Sequence, residues 1–355
     1  ILGNSIPGQP TQLYKYKKIL GLWQLDAEHY RTLVNVVVDG LCITGWKYRL
    51  SSHTHMGGPV HFNPSFRIRL TKRKQARLEC MEGRQSRPHN RHLQIQKDRF
   101  TTQCKNTDHR TDFSTGVREE WVLEDRQRFD WLTYCRLYLP PSHPDNLIRP
   151  GLFQYDYDAC GLMIAMLSFH GKYARVTKIT GVSNKMLEIH LMRRIKLRDG
   201  EIFRNFNQLS RVVQEIEEQV IREQQQQQED GTEESMGHSW QSPAQPRVGE
   251  SRASISEEQP VPFVLPEGVV PRDWNYPRTC RMCFLAWTLL PLGSPDRWRF
   301  PGVFILFDEN HFGFISLEVK SFFLWGRVQN TFQNAEAPSP QAFLEMLKNI
   351  QSLVS

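Results

Sequence analysis

The sequence is short of long apolar runs. Its 355 residues are 39% hydrophobic, yet the longest apolar stretches, such as Met282–Gly293, fall well below the roughly 18 residues that a membrane-spanning helix needs. No basic n-region followed by an apolar h-region marks a secretory signal. The chain opens on Ile1 rather than Met, which predicts further residues upstream. Cysteine is sparse as well: seven residues (Cys42, Cys80, Cys104, Cys135, Cys160, Cys280 and Cys283), scattered and odd in number. That usage predicts reduced thiols or metal ligands, in the cytoplasm or nucleus, rather than a secreted disulfide framework. Catalytic signatures are also missing. There is no phosphate-cradling glycine loop, no Gly-x-Ser-x-Gly elbow and no His-Glu-x-x-His. The carboxylate pair Asp156/Asp158 lies in a Tyr-rich, turn-like stretch and reads as solvated. The expectation is a non-catalytic protein with no membrane partner.

What the chain does have is uneven charge. The formal net charge is +7, but residues 67–110 alone hold 13 Lys/Arg against 4 Asp/Glu, or +9. Nucleic acid or an acidic protein segment would suit such a patch. A zinc-stabilised nucleic-acid-binding module using residues 67–110 is therefore the alternative function. Phe100 is the sole aromatic there, poor material for a base-stacking platform, so nucleic acid is the weaker choice.

Periodicity predicts a mainly β fold. Two apolar runs flank Asp39-Gly40, a strong hairpin signal in which both turn positions favour positive φ. Phe66–Leu70 and Leu187–Leu191 alternate like half-buried strands. Gly161–His170, apolar on both faces, reads as a central strand. Val303–Phe307 and Phe312–Val319 bracket a second hairpin turn at Asp308–His311, and Ser321–Phe332 extends that meander. Two helices interrupt the pattern. One is capped by Asn207, with Leu209, Val212, Val213, Ile216 and Val220 as its stripe. The other opens on Ser339-Pro340, with Phe343, Met346, Leu347, Ile350 and Leu353 in line. Between Gln224 and about Gln259 the composition is Gln/Glu/Ser-rich and too polar to bury a core. The expected organisation is thus residues 1–222 as the first part of one β-rich domain, 223–260 as a disordered linker, and 261–355 as the second part.

Two groups of cysteines carry possible chemistry. Cys280-Arg-Met-Cys283 has a redox or zinc-knuckle spacing, but no second Cys-x-x-Cys accompanies it, and two buried thiols on a strand are the better reading. Cys80, His89, His92, Cys104 and His109 fall within 30 residues of a strand-and-loop stretch (about 78–110). Thiolates and imidazoles are what tetrahedral zinc takes, and the polar loop between them could gain its order from a metal. Surface histidines with two ordinary cysteines remain the alternative.

The strings ILGLWQ (19–24), LVNVVVDG (33–40), YLPPSHPDNLIRPGLF (138–153), MLSFHGKYARVTKITG (166–181), YPRTCRMCF (276–284) and PGVFILFDENHFGF (301–314) resemble the F-box only protein 31 family. So do NFNQLSRVV (205–213), VPFVLPEGV (261–269) and APSPQAFLEMLKNIQSL (337–353). The resemblance implies a substrate-recognition subunit of a Skp–cullin–F-box ubiquitin ligase, with an antiparallel β-barrel-like substrate domain. It implies binding of protein C-terminal tails, with a D-type cyclin as one target, in cell-cycle and DNA-damage control. It also implies a structural zinc held by Cys80, His89, Cys104 and His109, with His92 the rival for the second place. The family's F-box would precede residue 1, so this chain alone is not expected to dock the Skp adaptor and cullin. The stretches near 112–132 and after Gly181 are shorter than the family pattern. For the tail, the resemblance points to Lys178, Ile179, Thr180 and Gly181. A chain terminus needs hydrogen-bond donors, which Lys178, the Thr180 hydroxyl and the backbone around Gly181 offer; Arg327 is a candidate second donor.

Overall fold

Alternating and doubly apolar segments pair here almost wholly with neighbours in sequence, and the result is two β systems. The computed structural model describes residues 11–25, 31–48, 62–70, 75–81, 89–103, 131–156, 162–181, 186–195, 203–230, 260–289, 299–328 and 340–352. The first nine strands are β1 (Gly21–Leu25), β2 (Leu33–Asp39), β3 (Cys42–Tyr48), β4 (Phe62–Leu70), β5 (Ala76–Cys80), β6 (His89–Asn90), β7 (His92–Ile95), β8 (Arg99–Gln103) and β9 (Trp131–Arg136). They form one sheet in the order β6-β5-β4-β3-β2-β1-β9-β8-β7. β6 and β7 sit at opposite ends of that order with only Arg91 between them, so the sheet curls round until its edges meet. Gly45 helps it bend. The β3–β4 register shifts at Gly45/Trp46, and a Cβ on Gly45 would lie 2.4 Å from the Phe66 ring.

The second system comprises β10 (Gly151–Asp156), β11 (Leu162–His170), β12 (Tyr173–Lys178), β13 (Met186–Ile195), β14 (Val261–Pro262), β15 (Val270–Pro271), β16 (Thr279–Cys280), β17 (Met282–Leu289), β18 (Arg299–Leu306), β19 (His311–Ser316) and β20 (Ser321–Arg327). The order β10-β11-β12-β13-β17-β18-β19-β20 returns on itself, because Phe153 and Gln154 of β10 pair with Arg327 and Gly326 of β20. This closes an eight-stranded antiparallel barrel, as the family resemblance implied. β15 adds to β20 in parallel, and β14 pairs with β16. Helices are few: α1 (Thr11–Tyr14) with a 3₁₀ turn after it, α2 (Phe206–Asp230) and α3 (Pro340–Ser352).

The chain divides into two compact units. One comprises Ile1–Ser168, Val176–Lys185 and Gly326–Ser355; the other comprises Phe169–Arg175 and Met186–Trp325. The core of the first gathers Trp23, Phe66, Phe100 and Tyr134 with Phe343, Met346, Leu347 and Ile350 of α3. Phe100 stacks on Tyr134 at 4.7 Å and meets Trp23 edge-on at 4.7 Å. In the second unit Phe263, Tyr276, Phe307 and Phe322 make a mutual aromatic cluster.

Several local expectations need correction. The hairpin turn is one residue later than Asp39-Gly40: Asp39 pairs with Cys42, and Gly40 alone of the two turn residues has positive φ (59°). Gly at the first turn position suits a II′ geometry, which needs only one such residue. The cap of α2 is Asn205, not Asn207; its Oδ1 accepts from the Gln208 N–H at 3.0 Å. The Asn205-x-x-Gln208 spacing is that of a capping box, which makes the earlier asparagine the better start. The helix also runs on through Glu223–Asp230, past the expected boundary at 223. Residues 231–259 lie outside the described residues, as do Leu353 and most of 112–132.

Candidate functional site

The residues expected to meet a substrate tail lie in the first unit, on β12 and β20, which β11 and β10 separate in the sheet order. Lys178 ends β12, and Ile179, Thr180 and Gly181 follow it. Arg327, at the end of β20, is the register partner of Phe153 in β10; Phe153 in turn faces Ala165 in β11. Ile164 of β11 anchors the first of these groups. Its carbonyl accepts from the N–H of Ile179 (2.8 Å) and of Thr180 (3.2 Å), while its own N–H donates to the Thr180 hydroxyl oxygen at 2.9 Å. A side-chain oxygen thus takes the place of a ladder carbonyl where β12 leaves β11.

Gly181 must be glycine. Its φ is +89°, and a Cβ there would lie 2.4 Å from Met163 Sδ and 3.3 Å from Lys178 Cε. Its N–H donates to the Arg31 carbonyl at 2.8 Å, and the Arg31 N–H donates back at 3.2 Å. Gln24 of β1 donates through Nε2 to the Ile179 carbonyl at 2.8 Å. On its other side, Ile179 packs with Leu22, Leu33, Tyr48, Leu152 and Ile164. The segment is therefore held from both flanks.

The candidate donors are not idle surface groups. Lys178, Thr180 and Arg327 are each buried, at 6%, 1% and 8% exposure. The Arg327 guanidinium lies 4.5 Å over the Phe153 ring and donates to the carbonyls of Arg149 (2.6 Å) and Pro150 (3.4 Å). It ties the Leu-Ile-Arg-Pro stretch before β10 to the end of β20. Arg31, Gln24, Met163 and Phe153 are members of this neighbourhood that the sequence reading missed. Only the alternation of Gly21–Leu25 hinted that Gln24 shares a face with Leu22, and nothing local announces Arg31.

The expected zinc ligands are partly in view. Cys80 ends β5, is buried, and is the register partner of His89 at the start of β6. Gln103, the residue before Cys104, is the register partner of His92. Cys80 at the end of β5 and His89 at the start of β6 thus lie side by side, and Gln103 ends β8 opposite the start of β7. His92 is exposed on β7. Cys104 and His109 lie outside the described residues, and among the described residues no three metal-ligating side chains come together. Two thiols and two imidazoles fit a closed tetrahedral zinc in donor chemistry.

Cys280 and Cys283 are both buried free thiols, on β16 and β17. The hydrogen bond between them pulls the Cys280 thiol below its ordinary pKa, whereas burial pushes that of Cys283 well above it. Elsewhere in the second unit His190 stands 4.9 Å from the Tyr173 ring and 6.1 Å from that of Trp287. Trp287 donates its indole N–H to Glu217 of α2 at 3.0 Å. Among the described residues no helix is long and apolar enough to cross a membrane.

A closed antiparallel barrel whose strand ends are clamped by buried polar residues makes this a β-barrel protein. Residues 134–331, which contain the whole barrel, match the family model described as the cyclin D1 binding domain. Among curated relatives, several carry the name F-box only protein 31. The chain is 49% identical to the Mus musculus protein over 97% of its own length and 76% of the relative's. It is 48% identical to that of Homo sapiens (97% and 74%) and 42% identical to that of Xenopus tropicalis (96% and 70%). The chain belongs to the F-box only protein 31 family.

Proposed function

We propose that this chain is the substrate-recognition part of a Skp–cullin–F-box ubiquitin ligase, and that its barrel holds the C-terminal tail of a target protein such as a D-type cyclin. The observation that carries this reading is the coincidence of the cyclin D1 binding domain match over 134–331 with both halves of the clamped site, Lys178–Gly181 and Arg327. The chain supplies binding and presentation, and ubiquitin transfer belongs to partners recruited through an F-box. Within the site the roles divide. The Lys178 ammonium is the group whose charge suits a tail, and Thr180, Gly181 and Arg327 help to hold β12, β10 and β20 in place. A backbone already held in this way spares part of the ordering cost of binding.

Peptides test it. The last dozen residues of a D-type cyclin, prepared as free acid, as amide and with an internal extension, should bind the full chain unequally. Equal binding by all three, or by none, overturns the reading. Lys178→Met should weaken the best of them at least tenfold while the variant keeps the folded circular dichroism of the parent chain. We further propose one structural zinc per chain, held by Cys80, His89, Cys104 and His109 in a closed, non-catalytic shell. Metal analysis giving well under one zinc per chain removes that part alone.

A further inference from the structure

The curled first sheet has one strand edge that neither the barrel nor the metal ends employ. β7 bonds to β8 on one side only. The Gln96 N–H donates to the Arg99 carbonyl at 2.8 Å, closing the β7–β8 hairpin. Alternation in an antiparallel pair then gives His92 and Gln94 their bonds to β8 and turns the N–H and C=O of Leu93 and Ile95 the other way. Arg91 has the same parity, and its N–H reaches the Leu78 carbonyl of β5 at 3.2 Å. There the contact with β5 ends, since the β5–β6 pairing covers only Glu79↔Asn90 and Cys80↔His89. Leu93 and Ile95 present two donors and two acceptors with no main-chain partner among the described residues. Their side chains are half-buried against the core, while those of His92, Gln94 and Gln96 are exposed.

We propose that the outer edge of β7 is a docking site for an extended acidic segment of a partner protein, which adds as a strand through the main-chain groups of Leu93 and Ile95. Charge selects this occupant. The side chains of Arg69 and Arg77, on β4 and β5, are 50% and 43% exposed, and Lys97 and Arg99 are exposed at the far end of β7. The carboxylate of Glu79 is 4% exposed and already shared by Arg69 and Arg77. Acidic side chains on the outward positions of the added strand would meet this basic rim, and small apolar ones would fit the alternate positions beside Leu93 and Ile95. Nucleic acid suits the same charge, but Phe100, the one aromatic within the basic stretch, is fully buried, and the exposed Tyr138 nearby already donates its hydroxyl to Asp98. Strand addition uses the open main-chain groups, which nucleic acid would leave unpaired. This surface is separate from the Lys178–Arg327 neighbourhood and does not depend on the tail reading.

The probe is an acetylated, amidated heptapeptide of alternating Val and Glu, with the full chain as receptor. Binding should slow amide exchange at Leu93 and Ile95 by NMR while leaving Gln94, already paired to β8, unchanged. N-methylating alternate peptide amides in the pairing register should weaken binding at least tenfold. Lys97→Glu, an exposed change outside the core, should weaken it several-fold, and added salt should do the same. Absence of binding, or binding without protection at Leu93 and Ile95, overturns the proposal. So does equal affinity of the N-methylated peptide, or protection of these amides by single-stranded RNA instead.

Discussion

At residue scale the most exacting positions are Thr180 and Gly181. Thr180→Val keeps the shape but leaves the buried Ile164 N–H without its acceptor. The expected cost is about 1–3 kcal/mol of unfolding free energy, read by denaturant titration, while Thr180→Ser should cost clearly less. Gly181→Ala sets a side chain at φ +89°, 2.4 Å from Met163 Sδ. The Met side chain is flexible and can give way, so the backbone term dominates, about 1–2 kcal/mol. Neither requirement was legible beforehand: Thr and Gly in KITG stood out as donors near a loop, and their use as internal clamps depends on residue 164, which is remote in sequence. His190 yields a pH prediction. Burial foremost, then the charge of Arg193, lowers its folded-state pKa below 6.5. The unfolded chain therefore takes up the proton first as pH falls. The contribution of neutral His190 is complete above about pH 6.5 and is lost below it, down to the folded-state value. Thermal melts from pH 7.5 to 5 should show this loss, and His190→Gln should flatten the curve relative to the parent chain.

At element scale, patterns confined to adjacent residues served well. The apolar stripe of the last helix is confirmed by burial of Phe343, Met346, Leu347 and Ile350. Phe343 is fully buried, so Phe343→Ala should cost about 3–5 kcal/mol, whereas Leu344→Ala, at a position 43% exposed, should cost little. The cap of α2 was misplaced because two asparagines compete within three residues, and only the side-chain bond decides. Asn205→Ala should lower stability by about 1 kcal/mol, and Asn207→Ala should fall within the few tenths typical of an exposed helix position. Reversal of these two effects would return the cap to Asn207. The helix's extension through the glutamine run was hidden by composition, since a polar, Gln-rich stretch reads as chain without a core although Gln and Glu are good helix formers.

At the scale of the whole molecule, the β-barrel class was legible but the division into two β systems was not. Hairpins such as β2–β3 and β18–β19 are written in neighbouring residues. The pairs that define the larger order are not: Trp23↔Arg136 joins β1 to β9, and Phe153↔Arg327 closes the barrel. Such long-range choices rest on which faces bury together, and periodicity in one strand is silent about its partner. The proposed zinc bears on the same question, because Cys80 ends β5, His89 begins β6, and Cys104 follows the last residue of β8 in sequence. A metal there would do for these strand ends what hairpin turns do elsewhere. Stripping it with a strong chelator should accelerate amide exchange in β5 to β8 by several orders of magnitude, while β17 to β19 change far less. Cys80→Ser should reproduce the loss, several kcal/mol in stability. The two treatments should not add: once Cys80 is replaced, the chelator should have almost nothing left to remove. If chelator and substitution each destabilise fully and independently, Cys80 is a packing residue at the end of β5 and the metal, if any, is held elsewhere.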